Sequence, residues 1–192
     1  MARALALALL FAAWPVDAGQ DVYIKLAGQG RGAALLPLGL PPFIAENPLR
    51  IRDVMIARQV GEVVRSDLMF SRYFLVLEAG PYFDGANGSA IVSDWRKQGA
   101  SWLLLAKASS SESHLNISAT LIEANSGAVV FKRDYRQQVS ALRLACHRLS
   151  DDVVKAVTGK NGIAQTQIAF SNDHTGHKEI YMMDYDGANL RE

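Results

Sequence analysis

The sequence lacks the cysteines that a covalently stabilised domain would need. Its 192 residues include one cysteine, Cys146, so the chain cannot form a disulfide bond within itself. Clusters of cysteine and histidine with the spacing of a zinc site are also missing, so we expect no structural metal. The fold must therefore be stabilised by its hydrophobic core.

A large excess of charge of either sign is also absent. The chain has 20 Lys and Arg against 19 Asp and Glu, which gives a net charge of +1. Nucleic acids and anionic membranes attract strongly basic surfaces, so we expect neither to be a main partner. A composition of 49% hydrophobic and 20% charged residues is typical of a globular protein, and the length fits one domain or two small ones.

The sequence has no apolar run long enough to span a membrane. The uncharged run Ala4–Ala13 is about half of the ~20 residues that a spanning helix requires. Arg3 precedes this run, and Trp14-Pro15 ends it shortly before the small residue Ala18. This arrangement predicts a secretory signal peptide over residues 1–18, cleaved after Ala18, and an exported protein that is not inserted in the membrane.

Several patterns imitate catalytic or ligand-binding motifs without completing them. Gly28–Gly32 resembles a phosphate-binding loop, but apolar, extended residues follow it instead of a helix. Asp184–Asn189 resembles part of a calcium loop, but a third early ligand and the later glutamate are missing. His174 and His177 lie in a glycine-containing loop without helical context. We therefore predict no catalytic residue, no cofactor, no metal ligand and no small-molecule substrate.

Hydrophobic periodicity predicts alternating strands and helices. The predicted strands are residues 33–38, 74–77, 102–106, 115–122 and 129–135, and the last two flank a turn at Asn125–Gly127. The predicted helices are Arg50–Leu68, Ser93–Gly99 and a long helix from an N-cap at Ser140 to Gly159. This order predicts an α/β (α+β) domain whose mixed sheet packs against two main helices.

Each of the two long helices is expected to bury one apolar face. The expected buried face of the first helix comprises Val54, Ala57, Val60, Val64 and Leu68. In the last helix, Cys146 shares a face with Leu149, so we expect its thiol to pack as a small hydrophobic group. His147 is turned ~100° away from Cys146, which argues against a thiol–imidazole pair.

The most specific pattern lies near the end of the sequence. Ile168–Arg191 predicts a strand, a turn at Thr175-Gly176, a second strand, a turn at Asp186-Gly187 and the start of a third strand. This segment closely resembles the WD40-like repeat of bacterial propellers, whose pattern is I-A-F-x-S/T-D/N-x-x-G-x-x-E-I-Y-x-M-D-x-D-G. The match favours a propeller repeat over a chance hairpin.

Taken with this repeat, the rest of the chain resembles the TolB family from about Asp21 to Arg191. The other matching stretches are Asp53–Ala57, Val63–Leu68, Trp95–Ala100 and Leu149–Gly159. The resemblance implies four parts. They are the signal peptide (1–18), an amino-terminal arm and flexible linker (19–32), a TolB-like α/β domain (33–160) and an incomplete first propeller repeat (161–192).

The resemblance also implies a non-catalytic function in the periplasm. Members of the family connect the C-terminal domain of TolA to the lipoprotein Pal, which maintains the outer membrane and supports constriction at cell division. By position, the arm that contacts TolA would consist of Gln20, Asp21, Val22, Tyr23, Ile24, Lys25 and Leu26. An equally simple interpretation is that Val22–Leu26 forms the first strand of the domain.

The family has several propeller repeats, whereas this sequence stops inside the first, so we expect it to be part of a longer protein. A lone hairpin cannot close a propeller, and we expect residues beyond about Gly162 to be loosely held. Two alternatives stay open. The repeat also occurs in exported hydrolases, namely peptidases and polysaccharide lyases, and the chain could instead be a stand-alone exported binding module.

Overall fold

A mixed β-sheet organises most of the chain that the computed structural model describes, which is residues 34–82 and 88–192. Its strands are β1 (Leu36–Gly39), β2 (Ile44–Ala45), β3 (Phe74–Leu77), β4 (Trp102–Ser110), β5 (His114–Glu123) and β6 (Val129–Gln138). The helices are α1 (Ile51–Phe70), α2 (Gly88–Lys97) and α3 (Leu142–Thr158). Strands β7 (Gln167–Asn172) and β8 (Glu179–Asp184) form a separate hairpin. The predicted signal peptide, arm and linker lie outside the described residues.

The sheet combines parallel and antiparallel strands in the order β3-β1-β4-β5-β6. Strand β1 runs parallel to both of its neighbours, whereas β4, β5 and β6 form an antiparallel meander. The short strand β2 also pairs with β4, further along it than β1 does. Pro41 and Pro42 separate β1 from β2, because proline has no N–H group to donate to the sheet. The predicted mixed α/β fold is confirmed.

Both faces of the sheet are covered by helices, but unequally. Helices α1 and α3 pack on one face, where the alternating inward residues of β5 are fully buried. These inward residues are Leu115, Ile117, Ala119 and Leu121. Helix α2 covers part of the other face with Trp95, whose indole N–H donates to the Pro81 carbonyl at 3.0 Å. The larger core therefore lies between the sheet and the α1–α3 pair.

Helix α1 confirms the predicted periodicity with one correction. Val54 was expected to be buried, yet it is 44% exposed, while the neighbouring Asp53 is buried. The Asp53 carboxylate accepts hydrogen bonds from the backbone amide of Ser110 at 2.9 Å and from its hydroxyl at 3.3 Å. These donors at the end of β4 compensate for the burial of a charge.

Helix α3 begins differently from the prediction. Ser140 is not its N-cap, because Val139–Ala141 form a 3₁₀ turn and the Ser140 hydroxyl lies 3.5 Å from Gln138 Oε1. Ala141 occupies the cap position and makes no side-chain hydrogen bond. At the other end, Gly159 adopts the left-handed conformation with φ 74°, as expected for a glycine that ends a helix.

The two predicted hairpins are present. The turn at Asn125–Gly127 joins β5 to β6, and β7 pairs with β8 across the turn that contains Gly176. A single bridge between Met182 and Arg191 forms the expected start of a third strand. Among the described residues, no helix is both long and apolar enough to cross a membrane.

The close approach of β1 to helix α2 predicts a strong dependence on Gly39. A Cβ atom at Gly39 would lie 2.6 Å from the Trp95 ring, so we expect Gly39→Ala to lower the free energy of unfolding by about 1–3 kcal/mol in urea denaturation. Gly61→Ala is the matched control. Its Cβ would meet Phe43 at an ordinary 3.8 Å, and alanine favours the helix by about 0.5–1 kcal/mol. Equal effects of the two substitutions would contradict this packing.

Candidate functional site

A cluster of polar side chains lies at the junction of α1, α3 and the turn after β8. We call it the docking cluster. Its members are Asp67, Arg143, His147, Ser150, Tyr185 and Asp186. Asp67, His147 and Ser150 are buried, each with at most 3% of its surface exposed. Charged groups are seldom buried unless they are paired, so the burial of Asp67 must be compensated by its contacts in this cluster.

The carboxylate of Asp67 lies at the centre of the docking cluster. His147 Nδ1 lies 2.9 Å and Ser150 Oγ lies 2.8 Å from Asp67 Oδ2, while the Tyr185 hydroxyl donates to Asp67 Oδ1. Because an ionised carboxylate only accepts hydrogen bonds, His147 carries its proton on Nδ1. Three donors from two separate segments therefore satisfy this one buried anion.

Tyr185 carries the hairpin side of this contact. Its residue surface is only 7% exposed, and its ring packs edge-on against Phe70 and His147 with centroids 5.3 and 5.4 Å away. Burial and the hydrogen bond to Asp67 raise the pKa of Tyr185 well above its ordinary value. The phenol therefore remains a neutral donor at any physiological pH.

The neighbouring Asp186 brings a second carboxylate to the cluster. It forms an ion pair with Arg143, whose position in the first turn of α3 places Asp186 near the positive end of the helix dipole. Asp186 Oδ2 also lies 3.6 Å from His147 Nε2. Two buried nitrogens, His147 Nε2 and Arg143 Nε, have no hydrogen-bond partner among the described residues.

Residues just after α3 fold back onto the helix. The carboxylate of Asp151 accepts hydrogen bonds from the amides of Ala164 and Gln165 at 2.8 and 3.2 Å, and from the Gln165 side chain at 2.9 Å. The hairpin is thus attached at its base and at its second turn. Its strands are far more exposed, with Ile180 at 71%. That the residues beyond about Gly162 are loosely held stays a prediction.

The docking cluster does not have the chemistry of a metal centre. Asp67, His147 and Asp186 each offer an atom within 4.8 Å of the others, a spacing that an ion could bridge. However, the oxygens of Asp67 already accept from three donors, and the Arg143 guanidinium pairs with Asp186. A cation would have to displace these donors. The arrangement suits structural docking of the hairpin instead.

A second candidate site is an apolar cleft of about 450 Å³ between α1 and the residues that follow β1. Leu40–Phe43 and Gly61 contribute to its walls. At its rim Arg65 pairs with Glu78, and Arg58 pairs with Glu62 at 3.0 Å. The cleft lies at the carboxyl ends of the parallel strands β1 and β3, where open α/β sheets commonly bind ligands.

The site residues expected from the sequence lie mainly elsewhere. Ala18, the segment Gln20–Leu26 and the glycines of Gly28–Gly32 are outside the described residues. His174 and His177 are exposed near the β7–β8 turn, and Asp184–Asn189 form the expected turn, in which Asn189 donates to Asp184. Cys146 is fully buried, as predicted.

Sequence reasoning missed the docking cluster. The available signal was Asp67, a charged residue three positions after Val64 and adjacent to Leu68 on the face of α1 that the periodicity assigned to the core. An acidic residue on a buried face requires donors from elsewhere. Periodicity could not indicate that those donors are His147, Ser150 and Tyr185.

Comparison with known families decides what this fold is. The family described as the TolB amino-terminal domain matches residues 24–130. This chain belongs to the TolB family. The family assignment and the predicted resemblance agree.

Individual relatives match over most of this chain. The Tol-Pal system protein TolB of Geobacter sulfurreducens is 30% identical over 193 aligned residues, which cover 99% of this chain and 44% of that protein. A TolB homologue of Chlorobium chlorochromatii is 32% identical, covering 71% of this chain and 32% of the relative. The chain thus spans less than half the length of these relatives.

A solved structure supports the same fold. The crystal structure of TolB from Acinetobacter baumannii superimposes with a TM-score of 0.68 at 19% identity, covering 82% of this chain and 38% of that one. The Geobacter sulfurreducens relative is named as a protein of the Tol-Pal system. Membership of the TolB family therefore supports the prediction that this chain is a Tol-Pal system component.

The hydroxyl of Tyr185 is expected to stabilise this TolB-type domain. Tyr185→Phe removes one donor from the buried Asp67 carboxylate but leaves the ring contacts, so we expect the free energy of unfolding to fall by about 1–2 kcal/mol. Tyr181→Phe is the control, because among the described residues the Tyr181 hydroxyl donates only to Glu179 of the same strand, so its loss should leave stability unchanged. Equal effects in urea denaturation would contradict the docking role.

Cys146 is expected to be chemically inert while the domain is folded. Burial, with a further contribution from the Asp67 carboxylate, raises the pKa of its thiol to about 12, so almost no thiolate forms at pH 8. A coloured disulfide reagent should therefore fail to label the native protein and should label one thiol in denaturant. Rapid labelling of the native chain would show that the thiol is accessible.

Proposed function

We propose that this chain is the amino-terminal part of a periplasmic TolB that acts by binding other proteins. The signal peptide predicted for residues 1–18 would export it to that compartment. The observation that carries the proposal is the continuous match to a Tol-Pal protein across 99% of the chain, which includes both the domain and the hairpin. The match to the hairpin favours this function over an unrelated exported binding module.

The proposed contact with a TolA-type protein is made by the amino-terminal arm, Gln20–Leu26. Val22, Ile24 and Leu26 alternate with more polar residues, so an extended arm would have one apolar face. Such a segment can bind by adding a strand to the sheet of a partner, here the C-terminal domain of TolA. The alternative is that Val22–Leu26 pairs within its own domain.

The proposed contact with the lipoprotein Pal belongs to the propeller. The β7–β8 hairpin supplies its first two strands, and their outward edges and exposed Ile168 and Ile180 suit continued pairing and packing with further strands. Joining a TolA-type protein to Pal would allow the protein to help maintain the outer membrane and support constriction during cell division. The α/β domain would hold the arm and the propeller in one molecule.

A binding experiment tests the arm. We expect the mature chain, residues 19–192, to be captured by immobilised C-terminal domain of TolA, and we expect deletion of residues 20–26 to weaken capture by about tenfold or more. Placing charges on the apolar face, with Val22→Asp and Ile24→Asp, should weaken capture to a similar extent. The matched control alters the opposite face, with Tyr23→Asp and Lys25→Asp, and should bind TolA more tightly than the variant with charges on the apolar face.

Urea denaturation of the same variants separates the two interpretations of the arm. A free arm contributes nothing to the core, so its deletion should leave the unfolding midpoint unchanged. A lowered midpoint would indicate that Val22–Leu26 is a strand of the domain. Undiminished capture after the deletion would refute the proposed contact.

A further inference from the structure

His147 lies between two carboxylates that belong to different parts of the chain. Its Nδ1 faces Asp67 on α1 at 2.9 Å, and its Nε2 faces Asp186 in the turn after β8 at 3.6 Å. We propose that protonation of His147 tightens the docking of the β7–β8 hairpin onto the α/β domain. The docked hairpin would then respond to pH through one imidazole.

The neutral imidazole leaves this contact incomplete. With the proton on Nδ1, the other nitrogen presents a lone pair toward the Asp186 carboxylate. Both groups are then acceptors, so no hydrogen bond can form between them. Consistent with this, His147 Nε2 is buried and has no hydrogen-bond partner among the described residues. The neutral cluster therefore leaves His147 Nε2 unsatisfied at the junction with the hairpin, in addition to Arg143 Nε.

Protonation changes the character of that junction. The imidazolium has a donor on each nitrogen, so Nε2–H can donate to Asp186 Oδ2 while Nδ1–H still donates to Asp67. A shift of less than about 1 Å shortens the 3.6 Å separation to the length of a charge-assisted hydrogen bond. Domain and hairpin would then share a second ionic contact beside the Arg143–Asp186 pair.

Three carboxylates lie around the imidazole of His147. Asp67 on α1 and Asp186 in the turn contact the imidazole, and Asp184 at the end of β8 interacts with it electrostatically. Burial alone would raise the pKa of Asp184, but hydrogen bonds from Asn189 and Gln167 hold it below the ordinary value, so Asp184 stays ionised.

One cation and two neutral groups complete the surroundings of the imidazole. Arg143 on α3 supplies the cation, while Tyr185 and Cys146 stay neutral because their pKa values are raised, chiefly by burial. Three carboxylates thus outnumber one guanidinium around His147.

The sign of the pH dependence follows from where the proton has a partner. The docked hairpin offers Asp186 to the protonated imidazole, whereas an undocked hairpin removes that acceptor. A proton that gains an acceptor only in the docked state strengthens docking as pH falls. The effect is a property of this chain's own residues and does not depend on the proposed partners.

Hydrogen exchange of residues 179–187 in the full chain tests this proposal. After correction for the intrinsic pH dependence of exchange, we expect protection to be about tenfold greater at pH 5.5 than at pH 7.5. In Asp186→Asn, the ratio between the two pH values should fall to about one. Tyr185→Ala provides the reference for an undocked hairpin, and the protection of Asp186→Asn should exceed it.

Two further variants test the neighbouring cation, Arg143, and a second histidine of the hairpin, His174. Arg143→Gln removes the competing cation but keeps both carboxylates, so the ratio between the two pH values should persist or grow. His174→Gln, in the other turn of the hairpin, should leave the ratio as in the unmodified chain. Equal protection at the two pH values in the unmodified chain, or a tenfold ratio that survives Asp186→Asn, would overturn the proposal.

Discussion

The buried carboxylate of Asp67 is the interaction on which the arrangement of the described structure depends. An unpaired charge in a protein interior costs several kcal/mol, so this carboxylate is tolerated only while donors surround it. The donors come from two places, His147 and Ser150 on α3 and Tyr185 beyond β8. Satisfying one anion on α1 therefore fixes both the helix that packs beside it and the hairpin that follows.

The same requirement explains why the cluster is specific. The hydrophobic effect is non-directional, so it specifies the relative position of α1 and α3 less sharply than hydrogen bonds do. A hydrogen bond fails beyond a few tenths of an ångström, so the Asp67 contacts select one relative position. Asp53 makes a second contact of this kind near the start of α1, where Ser110 supplies the donors. A buried carboxylate near each end of helix α1 thus fixes the position of the helix.

How much could be predicted from the sequence depended on the range of the interactions involved. The β5–β6 hairpin and the helical run of α1 followed from local patterns, since neighbouring residues determine turns and periodicity. The exposure of Val54 and the burial of Asp53 did not, because the donors to Asp53 lie 57 residues further along the chain. Asp67 and Tyr185 are separated by 118 residues, and no local pattern indicates that they meet.

The way in which Asp151 holds the residues after α3 has a mechanical consequence. Ala164 and Gln165 are hydrogen-bonded to that carboxylate, so little slack chain separates the α/β domain from the hairpin. Tension applied at the start of β7 would be transmitted to α3 through these bonds before any linker could extend. Load applied to the hairpin would thereby reach the middle of the folded domain through the Asp151 carboxylate.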